Sequence, residues 1–159
     1  MRNSETLIHA TAVAINGQAI LLMGASGSGK SDLAIRLIDR GAVLVSDDYC
    51  DIVEGADGPE VHAKSGISGK IEVRGVGICE CDHIPSAPLA MALTLDSIPE
   101  RLPSDNDRIE LAGWSVPAFA LSPFETSAPL KVEMLLHRLV DARRRPMRLE
   151  TSGYNRGTA

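Results

Sequence analysis

Residues Gly24-Ala25-Ser26-Gly27-Ser28-Gly29-Lys30-Ser31 complete the pattern G-x-x-x-x-G-K-[ST] of a phosphate-binding loop. The chemistry requires these types at this spacing. Glycines let successive backbone N–H groups curl inward around a polyphosphate, and the helix that follows adds the positive end of its dipole. Lys30 is placed to reach the β- and γ-phosphates, and the Ser31 hydroxyl to ligate Mg²⁺. The motif lies between an apolar run, Ala19 to Met23, and an amphipathic stretch that begins at Asp32. That is the strand, loop and helix setting the motif needs, so the chain is expected to bind a nucleoside triphosphate with Mg²⁺.

A second group of reactive residues, Ser46-Asp47-Asp48, follows only one helix and one strand after Lys30. Carboxylates at the carboxyl end of a strand beside a phosphate loop sit where ligands bind in open α/β sheets. One could orient Mg²⁺ through water while the other accepts a proton from an attacking hydroxyl. In Ile71-Glu72-Val73-Arg74-Gly75-Val76-Gly77, alternation puts Glu72 and Arg74 on one face of a strand. Alone, that pair reads as a surface ion pair, and His9 alone reads as structural. Cys50, Cys79 and Cys81 are odd in number and lack C-x-x-C spacing, so they read as reduced thiols. Cys79, Cys81 and His83 alternate onto one strand face with no fourth ligand, which favours half-buried strand residues over a metal site.

These residues need elements to hold them. Residues 7–15 and 18–23 are two strand-like runs joined by Asn16-Gly17, the dipeptide best suited to a type I′ turn, so the phosphate loop is entered through a hairpin. A helix is expected over 31–40, with Leu33, Ala34, Leu37 and Ile38 on one face and Gly41 as its left-handed cap. A buried strand follows over 42–45. Residues 49–77 read as short strands and turns, in which 64–70 is either a loop closing over phosphates or plain surface. Residues 130–145 form an amphipathic helix whose closing Arg143-Arg144-Arg145 run complements the helix dipole.

The chain has 159 residues with 44% hydrophobic and only 3% aromatic content. That allows one domain, expected over 1–149, with a disordered tail at 150–159 and a core of Leu, Ile, Val and Ala around buried parallel strands. Net charge is −5 and pI about 5.3, which gives no general reason to bind nucleic acid. No apolar run approaches the about 18 residues of a membrane span, so a cytoplasmic protein is expected.

Taken in order, Ile8-His9, the Asn-Gly hairpin, Gly24 to Ser31, Ser46-Asp47-Asp48 and Ile71-Glu72-Val73-Arg74-Gly75-Val76-Gly77-Ile78 resemble the C-terminal catalytic domain of HPr kinase/phosphorylase. That bacterial enzyme acts on a serine of the phosphocarrier protein HPr, and the resemblance covers most of residues 5–140. It implies an α/β P-loop nucleotide-binding fold with a mixed sheet and an entry hairpin, like phosphoenolpyruvate carboxykinase, in a short single-domain form that assembles as a homo-oligomer, a hexamer in the family. It also implies a protein serine kinase using ATP and Mg²⁺. Lys30 matches the phosphate-binding lysine, and Ser31 with Glu72 match the Mg²⁺ ligands. Asp48 matches the proton acceptor with Asp47 beside it, and His9 matches a catalytic-site histidine. Arg101 matches an arginine near the transferred phosphate, with Arg108 as a competing position.

One stretch departs from that family. A basic loop with a Pro-Gly-Arg-Asn core, tied to dephosphorylation, is expected where this chain reads Val116-Pro117-Ala118-Phe119-Ala120-Leu121-Ser122-Pro123-Phe124-Glu125-Thr126-Ser127-Ala128-Pro129, with no arginine and one acid. The phosphorylase activity is therefore expected to be weak. Two other readings stand beside the protein kinase. Small-molecule kinases of the shikimate or gluconate type share the paired aspartates but lack the entry hairpin and the Glu-Val-Arg-Gly strand. A nucleotide-binding regulatory module would have no use for a proton acceptor beside the γ-phosphate.

Overall fold

Two neighbouring strands are buried on both faces, and their side chains alternate between two different cores. In the computed structural model, which describes residues 7–149 except 65, 67 and 105, these strands are β2 (Thr11–Ile15) and β3 (Gln18–Met23). They pair antiparallel with Ile15 opposite Gln18, across a turn whose residues Asn16 (φ 51°) and Gly17 (φ 78°) are both left-handed. Such a turn matches the right-handed twist of the strands it joins, so the expected entry hairpin forms.

The chain continues as α1 (Lys30–Asp39), β4 (Val43–Ser46), β5 (Tyr49–Gly55), β6 (Gly58–Ala63), β7 (Lys70–Val73), β8 (Gly77–Glu80) and β9 (Ser86–Thr94). It ends with β10 (Arg108–Leu111), β11 (Trp114–Ala120), α2 (Ala128–Asp141) and β12 (Met147–Arg148), while β1 (Leu7–His9) precedes β2. A mixed sheet runs in the order β1-β5-β6-β9-β3-β2-β4, and β11 joins the carboxyl half of β9 while also carrying β10 and β12. The β3/β9 and β9/β11 pairs are parallel and the rest antiparallel; β7 and β8 form a separate ribbon.

This topology puts several chain segments on one rim. Strands β3, β9 and β11 point the same way, and β4 joins them because it is antiparallel to β2, which is antiparallel to β3. The rim therefore carries Asp47 and Asp48, then Thr11 at the start of β2, the phosphate loop, Asp96, and the loop after β11. Ligands bind at the carboxyl ends of strands in sheets of this kind.

On one face, Ile20, Leu22, Met91 and Leu93 pack with Leu33 and Leu37 of α1 and Val132, Leu136 and Leu139 of α2. On the other, Ala12, Ala14, Ala19, Ala92 and Ala118 pack with Leu21, Val45, Ile52 and Val61, all from strands or their ends. Alanines at these positions leave room for the sheet to curl on itself, which is why so few aromatic residues suffice.

Several expected boundaries move. The run 7–15 is two strands, because β4 leads through Asp47 and Asp48 straight into β5, and β1 leaves the hairpin to pair with β5. The run 71–78 is a β7–β8 hairpin, with Arg74 in its turn rather than on a face shared with Glu72. The parallel core is limited to β3, β9 and β11. Helix α2 stops at Asp141, closed by Arg143 in a left-handed conformation (φ 54°), so the arginine run lies past the helix end. The expected tail at 150–159 falls outside the described residues. Among the described residues, no helix is long and apolar enough to cross a membrane.

Candidate active site

The phosphate loop begins as β3 ends, and sterics restrict its glycines. A Cβ on Gly24 would lie 2.4 Å from Ser28 Oγ, and one on Gly29 (φ 102°) would lie 3.0 Å from both Phe124 Cζ and Pro123 Cγ. Lys30 is buried at the first position of α1 and its Nζ donates back to the carbonyls of Gly24 (2.6 Å) and Ala25 (3.1 Å). Among the described residues, Ser28 Oγ is buried without a hydrogen-bond partner. An orphaned hydroxyl in this loop is a donor that a phosphate oxygen can satisfy, so the loop fits a polyphosphate.

Asp47 is the hub of the acidic end. Its Oδ1 accepts from Thr11 Oγ1 (3.0 Å) and Ser31 Oγ (3.1 Å), and its Oδ2 accepts from the Glu72 backbone N–H (3.0 Å). One buried carboxylate thus ties together β2, the first turn of α1 and β7. Ser31 and Glu72 flank it from two sides, and the Glu72 side chain is exposed. Mg²⁺ takes oxygen donors, usually one or two carboxylates with substrate phosphates and waters, and this donor set fits it. Among the described residues, no group of three or more His, Cys, Asp or Glu side chains could hold a metal by itself.

Asp48 is turned the other way. The Tyr49 N–H bonds to the Asp47 carbonyl (2.7 Å), closing a tight turn that holds Asp48 at φ 69°. Its N–H donates to Thr11 Oγ1 (3.1 Å), and its exposed carboxylate lies 2.8 Å from His9 Nε2. An ionised carboxylate only accepts, so His9 carries its proton on Nε2 in that bond. The His9 ring stacks on Tyr49 at 4.9 Å, and Lys64 Nζ lies 4.9 Å from the centre of the other ring in that stack, Tyr49. Sequence reasoning passed over Thr11 and Tyr49. The only signal for Thr11 was a hydroxyl at a fully buried strand start, where Val or Ala would serve packing better.

The structure brings His9, Lys30, Ser31, Asp47, Asp48 and Glu72 to one rim, while Arg101 and Arg108 have other immediate surroundings. Arg101 lines a groove of about 1310 Å³ beside α2, together with Asn16 and Gln18 from the far end of β3. Arg108 donates to Ser115 Oγ (2.7 Å) and to the Arg145 carbonyl (2.7 Å), bracing β10–β11 against the end of α2. All three cysteines are free thiols. Burial, with Asp51 adding to it, pushes the Cys50 thiol up to about 12, and burial also raises Cys81. Both stay neutral at ordinary pH.

A family model described as the HPr serine kinase C-terminal domain matches residues 2–158. An HPr kinase/phosphorylase of Clostridium botulinum is 44% identical over 81 residues, covering 50% of this chain and 26% of that protein. One from Streptococcus thermophilus is 28% identical over 164 residues, covering 95% of this chain and 51% of that protein. The chain thus spans about half, or less, of the length of these curated relatives. The solved structure of the Hpr(Ser) kinase/phosphatase from Coxiella burnetii matches with a TM-score of 0.72 and 26% identity, covering 86% of this chain and 93% of that one.

Proposed function

The chain belongs to the HPr serine kinase C-terminal domain family, and from that premise we propose that it transfers the γ-phosphoryl group of ATP to a serine of HPr, with Mg²⁺. What supports the reading is one continuous hydrogen-bonded path beside the phosphate loop: Ser31 to Asp47, Asp47 to Thr11, Thr11 to Asp48, and Asp48 to His9. Along that path the two carboxylates have different tasks. Three donors already occupy Asp47, leaving it to hold Ser31 and β7 in place. Asp48 keeps an oxygen for the proton of an incoming serine hydroxyl, and His9 orients it and offsets the charge that passes through.

Lys30 would exchange its two loop carbonyls for phosphate oxygens, a stronger charge-assisted pairing. Ser31 and Glu72 would hold Mg²⁺, which neutralises charge on the β- and γ-phosphates when bound. The exposed rim at Asp48 suits an acceptor carried on another protein. A homo-oligomer is part of the same proposal, on the resemblance. The test is incubation with labelled ATP, Mg²⁺ and purified HPr, followed by mapping of the label. A single labelled serine is expected. ATP binding with no transfer to HPr would favour the regulatory-module reading, and transfer only to small hydroxylated metabolites would favour the small-molecule kinase.

A further inference from the structure

We propose that the pocket at the carboxyl ends of β9 and β11 takes the nucleoside half of the triphosphate, with its base stacked on the ring of Phe124. The inference rests on the kinase reading and adds the part of the site that reading leaves open, where the base and sugar lie.

The order of segments along the rim gives the direction. Asp47 and Asp48 follow β4; beyond β2 comes the phosphate loop at the end of β3, then Asp96 after β9 and Phe124 after β11. A γ-phosphate turned toward Asp48 leaves only the β9 and β11 side for the nucleoside. Neighbouring strands lie ~4.8 Å apart, so the end of β11 is ~10 Å from that of β3, within reach of a base tethered through ribose and the α-phosphate.

At that distance there is a cavity of about 500 Å³ walled by Ser28, Leu95, Asp96, Pro123 and Phe124. Phe124 is 70% exposed in a chain that has only five aromatic residues of the Phe, Tyr and Trp types. Its ring edge abuts Gly29, so the exposed ring stands directly beside the loop that holds the phosphates. It is also fixed there. Arg36 of α1 donates to the carbonyls of Pro123 and of Glu125 (3.1 Å) and is itself paired with Asp32 (2.8 Å), so the segment carrying Phe124 is clamped to the helix. A rigid exposed aromatic ring is a stacking platform that is already ordered before the base arrives. Asp96 completes the pocket. Its Oδ2 accepts from the Ala25 N–H (3.0 Å), and the second oxygen is available to a ribose hydroxyl.

The test compares ATP with inorganic tripolyphosphate, which keeps the phosphates and lacks the nucleoside. Binding of each, with Mg²⁺, is measured by calorimetry for the unaltered chain, Phe124→Ala and Phe124→Trp. The unaltered chain is expected to bind ATP more tightly. Phe124→Ala is expected to weaken ATP binding by about tenfold or more while leaving tripolyphosphate binding unchanged. Phe124→Trp is expected to retain ATP, with indole emission above the Trp114 background quenched by ATP and not by tripolyphosphate. Unchanged ATP affinity in Phe124→Ala, or equal losses for both ligands, would overturn the proposal, the second result making Phe124 a prop for the phosphate loop. An unaltered chain that bound neither ligand would instead bring down the nucleotide reading itself.

Discussion

Asp47 and Asp48 are neighbours in the chain but differ in what remains open on them. Asp47 is buried with three donors upon it, whereas Asp48 sits in a left-handed turn with its carboxylate on the surface against His9. Asp48→Asn keeps the shape and removes the proposed proton acceptor. Phosphoryl transfer to HPr is expected to fall ~10²- to 10⁴-fold with ATP affinity unchanged. A matching loss of ATP affinity would make Asp48 a ligand or scaffold residue instead. Thr11 belongs to the same scale, since its one hydroxyl donates to Asp47 and accepts from the Asp48 N–H. Thr11→Val preserves volume and leaves both groups short of a partner, costing ~1–3 kcal/mol of stability. It should also lower kcat by up to ~10²-fold, because the Asp47 carboxylate and the Asp48 backbone lose their common anchor, with little change in ATP affinity. Thr11→Ser, which restores the hydroxyl, should recover kcat. If Ser and Val variants lost activity equally, Thr11 would be a packing residue only.

The two helices end in the same motif with different residues at the critical position. After α1, the Gly41 N–H bonds to the Ile38 carbonyl and the Ala42 N–H to the Leu37 carbonyl, with Gly41 at φ 110°. After α2, Arg143 and Arg144 make the corresponding bonds to Val140 and Leu139, with Arg143 at φ 54°. A side chain in the left-handed region costs ~1–2 kcal/mol, which Gly41 avoids and Arg143 does not. Among the described residues, nothing lies within 4 Å of a Cβ placed on Gly41, so the effect there is conformational. Gly41→Ala is expected to destabilise by ~1 kcal/mol, and Arg143→Gly to stabilise by ~0.5 kcal/mol after the added freedom of the unfolded chain is subtracted. Denaturant midpoints check both; a stabilised Gly41→Ala would contradict the motif. Elements signalled by local chemistry were legible in the sequence: the Asn16-Gly17 turn, the phosphate loop, α1 with its glycine cap, and the acids after β4. The breaks at Ala10 and Arg74 were not, because apolar alternation runs through both, and only the strand partners β5 and β8 reveal them. The surroundings of Arg101 were not legible for a related reason. Its neighbours are determined by the path of a long loop that carries no periodic signal.

At the scale of the whole molecule, the arrangement of positive charge separates the two directions of the proposed reaction. In phosphorolysis, inorganic phosphate must attack the phosphorus of phosphoserine, releasing pyrophosphate and the serine hydroxyl. Two anions must then lie within bonding distance, and each pair of unit charges 4 Å apart repels by ~4 kcal/mol at an effective dielectric of about 20. The segment Val116 to Pro129 contains no lysine or arginine. The nearby cations are engaged: Arg36 clamps the carbonyls of Pro123 and Glu125, and Arg108 braces Ser115 and Arg145. Arg101 lines the groove beside α2, so among the described residues Lys30 is the cation at the loop itself, with Lys64 Nζ over the Tyr49 ring on the acceptor side. The forward kinase reaction needs no more than that, because Lys30 and Mg²⁺ offset the ATP phosphates and the attacking serine is uncharged. A single missing donor to developing charge typically costs ~10²- to 10³-fold, so phosphorolysis is expected to run at least ~10²-fold slower than the kinase reaction. The assay is release of pyrophosphate from phosphoserine-HPr on addition of inorganic phosphate. A rate comparable to the kinase rate would mean that Lys64 or a cation from outside this rim supplies the positive charge, and an arginine of a neighbouring subunit would be the next place to look.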